Sequence, residues 1–154
     1  MDKWDQRFME MTRLVGSWSS CYQEGRHVGA IIVKDKRVLA TGYNGAPSGI
    51  VNCVERQECL RRKANVPSGT RQELCYAVHA EQNAIVQAAK YGIAIRGATL
   101  YCTHQPCVIC AKIIINAGIT RVVYREGYPD AFSLQLFREA GTIIEKFPET
   151  ENEV

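Results

Sequence analysis

The sequence predicts a layered α/β domain, and three observations carry that prediction. Short apolar runs of strand character alternate with segments of helical periodicity in the order α-β-β-α-β-α-β-α-β, a pattern that implies a sheet covered by helices. The length of 154 residues suits one domain with a substantial core. Two clusters of metal-type ligands, His79-Ala80-Glu81 and Pro106-Cys107-Val108-Ile109-Cys110, both fall where a helix begins. In layered α/β sheets, ligand sites sit at strand ends and helix N-termini.

Residues 4 to 20 read as an amphipathic helix, with Trp4, Phe8, Met11, Val15 and Trp18 spaced by four and three along one face. Val28-Gly29-Ala30-Ile31-Ile32-Val33 is a short apolar run, as expected of a buried strand. Lys34-Asp35-Lys36-Arg37 is a polar turn, and Val38-Leu39-Ala40-Thr41 completes a hairpin. Residues 42 to 49, Gly-Tyr-Asn-Gly-Ala-Pro-Ser-Gly, are dense in turn formers and predict a loop, a place to grip a small ligand. Residues 50 to 78 are the least regular part, with charge clusters at 55–58 and 61–63 and a break at Val66-Pro67-Ser68-Gly69. So long a stretch in a compact domain needs something to hold it.

Helical signals return from His79 to Tyr91, with alanines at 80, 84, 88 and 89 and a stop at Gly92. Inside a regular helix His79 and Glu81 would lie ~200° apart, so both can face one metal only near the helix start. Residues 98–102 form a third strand, and Pro106 opens a helix running to about Gly118. Cys107 and Cys110, three apart, share a face of that helix. Residues 121–124, 132–140 and 142–145 complete the pattern as strand, helix and strand, with Gly141 ending the last helix. The expected domain is 1–154, with an insertion at about 50–78 and a frayed acidic tail at about 148–154.

A hydrophobic fraction of 46% and a charged fraction of 23% match an ordinary soluble globular protein. No apolar run approaches the ~20 residues that cross a bilayer. The polar start Met1-Asp2-Lys3-Trp4-Asp5 does not resemble a signal peptide, so a cytoplasmic location is expected. Net charge is +3, too weak a bias for a nucleic-acid footprint. Seven cysteines without a secretion signal point to metal or catalytic roles rather than disulfides.

His79, Cys107 and Cys110 supply three zinc-type ligands and leave a fourth position open, the pattern of a catalytic zinc. The combination H-x-E with P-C-x-x-C is the signature of zinc nucleobase deaminases. Zinc lowers the pKa of a bound water towards ~7. In that signature the resulting hydroxide would attack the amine-bearing ring carbon, C4 of a cytosine, and Glu81 would shuttle protons from the water to the ring nitrogen and the departing amine.

The chain resembles the cytidine/deoxycytidylate deaminase superfamily over roughly residues 5 to 145, most closely its deoxycytidylate (dCMP) deaminases. The matching pieces are residues 28–35, the loop 41–49, His79-Ala80-Glu81-Gln82-Asn83-Ala84 and residues 106–112. The resemblance implies the cytidine-deaminase-like three-layer α/β/α sandwich, with a five-stranded mixed sheet, and hydrolysis of dCMP to dUMP and ammonia, which feeds dTTP synthesis. It also implies that Asn44 contacts the sugar, that the Ala80 backbone binds the pyrimidine carbonyl and that the Thr103 segment lies near the exocyclic amine. Similar proteins are homohexamers activated by dCTP and inhibited by dTTP, with Mg2+ accompanying the allosteric triphosphate. The segment Gly42-Tyr43-Asn44-Gly45 is associated with that site.

Similar enzymes often carry an arginine after the tyrosine that here is Tyr128, whereas this chain has Tyr128-Pro129. Arg26 is then the nearest alternative phosphate ligand by position. Some members hold a second, structural zinc, and Cys21, Cys53, Cys59 and Cys75 fall in the regions that supply its ligands. Such a site would pin residues 50–78. Cys102 is expected in the core and His27 as structural, while His104 could line the pocket. The competing readings are a deaminase of another small pyrimidine nucleotide, a tRNA adenosine deaminase and a non-catalytic zinc nucleotide-binding module.

Overall fold

A five-stranded mixed sheet organises a computed structural model, which describes residues 1–127 and 130–148. Its strands are β1 (Gly29–Lys34), β2 (Arg37–Tyr43), β3 (Thr99–His104), β4 (Arg121–Glu126) and β5 (Ile143–Lys146). Their spatial order is β2-β1-β3-β4-β5. β1 pairs antiparallel with β2 and β3, and the pairs β3–β4 and β4–β5 are parallel. Parallel neighbours need a crossover, and α5 (Val108–Asn116) and α6 (Ala131–Ala140) supply the two.

The apolar run of β1 is buried on both faces. Ala30 and Ile32 join Leu100, Val122, Ile114 and Phe137 on one side. Ile31 and Val33 join Phe8, Met9, Val15, Tyr101 and Val123 on the other. Helix α1 (Lys3–Gly16) covers this second face, and α4 (Ala80–Lys90), α5 and α6 cover the first. This is the three-layer sandwich the resemblance implies.

Helix α1 is shorter than expected, ending at Gly16, so Trp18 lies outside it and is exposed. Its buried face uses Met9 and Thr12 rather than the expected Met11, which is exposed. The Thr12 hydroxyl is accommodated because it donates to the Phe8 carbonyl at 2.7 Å.

The expected loop at 42–49 starts later, because Gly42 and Tyr43 complete β2. Gly42 lies directly under α4, and a Cβ there would sit 2.1 Å from the Ala80 carbonyl oxygen and 2.5 Å from the Ala84 nitrogen. The fully buried alanines 80, 84 and 88 let the helix descend that far. A reciprocal pair of backbone hydrogen bonds, Val78 N–H to Gly45 O at 2.8 Å and Gly45 N–H to Val78 O at 3.3 Å, ties the loop to the segment entering α4. Residues 50–78 contain two one-turn helices, α2 (Cys53–Arg56) and α3 (Leu60–Lys63), and are otherwise irregular, apart from a 3-10 turn at Gln72–Leu74. Among the described residues no helix is long and apolar enough to cross a membrane.

Candidate metal centre and active site

Helices α4 and α5 begin side by side at one edge of the sheet, and each starts on a donor. His79 is the N-cap of α4 and Cys107 the N-cap of α5, both with extended backbone. The expected helix start at Pro106 moves to Val108, which leaves Cys107 on the rim and Cys110 in the first turn. The Gln82 side chain accepts from the His79 N–H at 2.9 Å. Asp130 accepts from the Val108 N–H at 2.8 Å with one oxygen and from the Ser133 N–H at 2.9 Å with the other. One carboxylate therefore caps α6 and fixes the start of α5.

The three donors converge. His79 Nδ1 lies 3.2 Å from Cys110 Sγ and 3.6 Å from Cys107 Sγ. With zinc bonds of ~2.3 Å to sulfur and ~2.0–2.1 Å to nitrogen, neighbouring donors of a tetrahedron stand roughly 3.5 Å apart. Both nitrogen–sulfur separations therefore suit a zinc ion. Among the described residues it is the group of three or more His, Cys, Asp or Glu donor atoms that gathers within 4.8 Å. Cys107 is held below the ordinary thiol range by its hydrogen bond with Cys110, against the effect of burial and with help from His79. That leaves it ready to act as a thiolate donor.

Glu81 is 5% exposed, and its Oε2 lies 3.8 Å from Cys110 Sγ. Burial raises its pKa above the usual carboxylate range, since the charged form loses solvent there. A carboxyl tuned upward beside a metal site is suited to both accepting and returning a proton.

A cavity of about 310 Å3 opens over this group. His79, Ala80, Glu81, Cys107, His104 and Gln105 line it, together with Val28, Asn44, Arg26, Arg61, Ser68 and Gly69. The Asn44 amide is held by the backbone: its Oδ1 accepts from the Val28 N–H at 2.8 Å and its Nδ2 donates to the Arg26 carbonyl at 2.7 Å. Arg26 donates to the Ser68 hydroxyl at 2.6 Å. Thr103 is buried, and its hydroxyl accepts from the Gly29 N–H at 3.1 Å, while the two residues that follow it, His104 and Gln105, line the cavity. His104 pairs with Glu126 at 3.0 Å. Tyr128 and Pro129 lie outside the described residues.

Cys21, Cys53, Cys59 and Cys75 are unpaired thiols, and Cys21, Cys59 and Cys75 line the same cavity. They are near enough to act on one another. Burial raises Cys21 and Cys53, and the charges of the other thiols add to the effect. Burial also acts upward on Cys59, but the Arg62 N–H and the Gln23 amide outweigh it and lower its pKa. Gln23 Nε2 donates to Cys59 Sγ at 3.2 Å and the Ala77 N–H to Cys75 Sγ at 3.4 Å. Cys102 is fully buried in β3, as expected. His27 bonds the Cys21 carbonyl at 3.0 Å, a structural contact.

Sequence reading missed Gln82, Asp130 and Arg61. The Gln three residues after His79 is a capping signal visible in the sequence. Nothing in the sequence links Asp130 to the start of α5 or Arg61 to the cavity.

Residues 2–126 match the family described as the cytidine and deoxycytidylate deaminase zinc-binding region. The chain is 40% identical over 144 residues to ComE operon protein 2 of Bacillus subtilis, covering 93% of this chain and 70% of that protein. It is 37% identical over 152 residues to the deoxycytidylate deaminase of Schizosaccharomyces pombe, covering 98% of this chain. It spans about half of that enzyme's length, 46%. Its structure is similar to the crystal structure of the dCMP deaminase of cyanophage S-TIM5 in complex with dCMP and dUMP. The TM-score is 0.76 at 34% sequence identity, over 92% of this chain and 95% of that one. Sequence match and donor geometry converge, and the chain belongs to the cytidine and deoxycytidylate deaminase zinc-binding family.

Proposed function

We propose that the chain catalyses hydrolytic deamination of dCMP to dUMP and ammonia, a step that feeds dTTP synthesis. The observation that carries this reading is buried Glu81 beside a preformed His79-Cys107-Cys110 donor set in a nucleotide-sized cavity. The similarity to the phage enzyme, whose structure holds dCMP and dUMP, supports the choice of substrate.

A zinc ion held by His79 Nδ1 and the two thiolates would supply an activated water. Glu81 accepts a proton from the attacking water, passes it to the ring nitrogen and delivers a second to the departing amine. The N–H of Ala80 lies in the first turn of α4, where it has no acceptor within the helix, and it receives the pyrimidine carbonyl. The small Ala80 side chain leaves the ring room to approach. Asn44 orients the sugar, and His104 and Gln105 take up the exocyclic-amine side implied for Thr103. Tyr128 and Arg26 remain candidates for the phosphate end.

The reading extends to a second, structural zinc held by Cys21, Cys53, Cys59 and Cys75, supported by their mutual electrostatic influence and the N–H donors on two of the sulfurs. It also includes one domain over 1–154, a cytoplasmic homohexamer, and control by dCTP and dTTP with Mg2+ at the Gly42–Gly45 segment. The seven unpaired cysteines favour a reducing compartment. Tyr43 is exposed and meets Trp18 edge-on, offering aromatic surface for a base or a neighbouring subunit.

Turnover of dCMP, CMP, deoxycytidine and adenosine in an RNA stem-loop, each with and without dCTP and dTTP, tests the proposal. The expected result is preference for dCMP. Equal turnover of deoxycytidine removes the monophosphate, and preference for RNA adenosine replaces the reading.

A further inference from the structure

Arg61 sits on α3, in the stretch that sequence patterning leaves as the least regular of the chain. It occurs in the run Arg61-Arg62-Lys63, where surface charges would be expected, yet it is only 8% exposed. Burying a guanidinium is costly unless its donors are paired. One terminal nitrogen is well used, donating to the Pro67 carbonyl at 2.9 Å and the Thr70 carbonyl at 2.6 Å. The Nε is buried and has no hydrogen-bond partner, a situation in which, among the described residues, no other side-chain nitrogen or oxygen is found. A charged donor left unpaired in this way calls for an acceptor that the free protein does not supply.

The surroundings indicate its chemistry. Arg61 lines the cavity that also holds His79 and Glu81. The two carbonyls it grips bracket Ser68 and Gly69, and both of these residues line the cavity too. Ser68 in turn accepts from Arg26, a second guanidinium that lines the cavity. Two cations, a hydroxyl and a glycine turn are therefore joined through one set of hydrogen bonds in the cavity that also holds the ring-handling groups Ala80 and Glu81. Arginine forks bind phosphate oxygens through several N–H donors at once.

We propose that Arg61, together with Arg26, forms the seat for the 5′-phosphate, and that the 50–78 insertion sets the preference for a nucleotide over a nucleoside. This rests on the dCMP reading above. Arg61 has two tasks in it. Its carbonyl contacts hold the Pro67–Thr70 turn against the cavity, and its unpartnered Nε, closed off in the free chain, reaches the anion by a turn of the side chain into the cavity. The seat is complete without an arginine after Tyr128, the position at which this chain carries proline.

The test uses the full zinc-loaded chain and the variants Arg61→Gln and Arg61→Lys. The readout is the ratio of kcat/KM for dCMP to that for deoxycytidine, with zinc content and melting temperature measured alongside. Arg61→Gln should lower the ratio about 10- to 100-fold, chiefly through KM for dCMP, as expected for loss of a charged hydrogen bond. Arg61→Lys should fall between, since it keeps the charge and loses the fork. In the unmutated chain, the Arg61 Nε–H resonance should shift on adding dUMP and not on adding deoxyuridine; this measurement stands even if Arg61→Gln fails to fold. A wild type that prefers dCMP, with both variants keeping its ratio, overturns the role of Arg61 alone. Equal losses on both substrates, or loss of zinc with the substitution, overturn it in favour of a structural role. A wild type without preference for dCMP overturns the substrate reading and this proposal with it.

Discussion

The molecule presents two sets of thiol-bearing donors that differ in what holds them. His79, Cys107 and Cys110 stand at the starts of α4 and α5, helices seated on the sheet by buried alanines, Ile114 and Gly42. Their donor atoms are already at metal-binding separations. Cys21, Cys53, Cys59 and Cys75 come from an irregular stretch after α1, the starts of two one-turn helices and the end of a 3-10 turn. They are neighbours, but no three of them lie within 4.8 Å of one another. The difference shows how backbone order is obtained. Regular elements packed on a sheet position donors without the ion, whereas irregular segments need the ion to offset the entropy of gathering them.

The largest expected effect separates holding a metal from using it. Glu81→Ala should keep the fold and the zinc at the α4–α5 site while turnover falls by a factor of about 10²–10⁴. Ammonia release and zinc content per chain measure the two halves of that statement. Turnover close to wild type would remove Glu81 from the chemistry.

The second prediction tests the other donor set. Elemental analysis should give two zinc ions per chain, and Cys59→Ser should reduce this to one with a clear fall in melting temperature, because a closed thiolate site contributes folding free energy directly. Activity should fall less than in Glu81→Ala. One zinc per wild-type chain, with Cys21, Cys53, Cys59 and Cys75 all titratable, would erase the proposed role of the second set.

The same contrast explains what the sequence makes legible. Every strand and every long helix is visible from periodicity and turn chemistry, because local pattern and tertiary burial agree in those elements. The metal triad is readable for a related reason: H-x-E and P-C-x-x-C are local spacings that geometry preserves. Asp130 and Arg61 act across 22 residues to Val108 and across the fold to the cavity, and no local pattern encodes such reach. Met9 and Thr12 replaced Met11 on the buried face of α1 because a hydroxyl bonded to its own helix packs as an apolar group does. The end of β2 was hidden for a different reason. Gly42 reads as a loop former, but here it serves the close approach of a helix.

That approach gives the third prediction. In Gly42→Ala the new methyl would meet backbone atoms of Ala80 and Ala84, so α4 must lift from the sheet. Overpacking of this kind costs about 1–3 kcal/mol. Because α4 carries His79, the catalytic zinc should bind more weakly, while the zinc of the cysteine set is retained. Denaturant melts and a chelator competition read the two effects. Loss of the second zinc before the first would reverse the assignment of rigid and metal-dependent regions.

The smallest effect lies on the opposite face of the sheet and examines the scaffold with bound metal removed. Asp5, in the first turn of α1, is buried against the sheet, where its carboxylate accepts from Arg121 at 2.7 and 3.3 Å and from the Tyr101 hydroxyl at 2.7 Å. Burial alone would raise its pKa, but the Arg121 and Tyr101 hydrogen bonds and the Asp2 N–H outweigh it and hold it at about 2. A carboxyl lowered in the folded state contributes stability that is complete above its unfolded pKa of ~3.9 and is lost as pH falls towards 2. In that range the thiolates and imidazole are protonated and release zinc, so the sheet and its helices stand alone. Wild-type unfolding free energy should fall by about 2 kcal/mol more than that of Asp5→Asn between pH 4 and pH 2. Parallel pH dependence of the two proteins would remove Asp5 from the acid response. A metal-free wild type already unfolded at pH 4 would show that the sheet does not hold the first donor set without its ion.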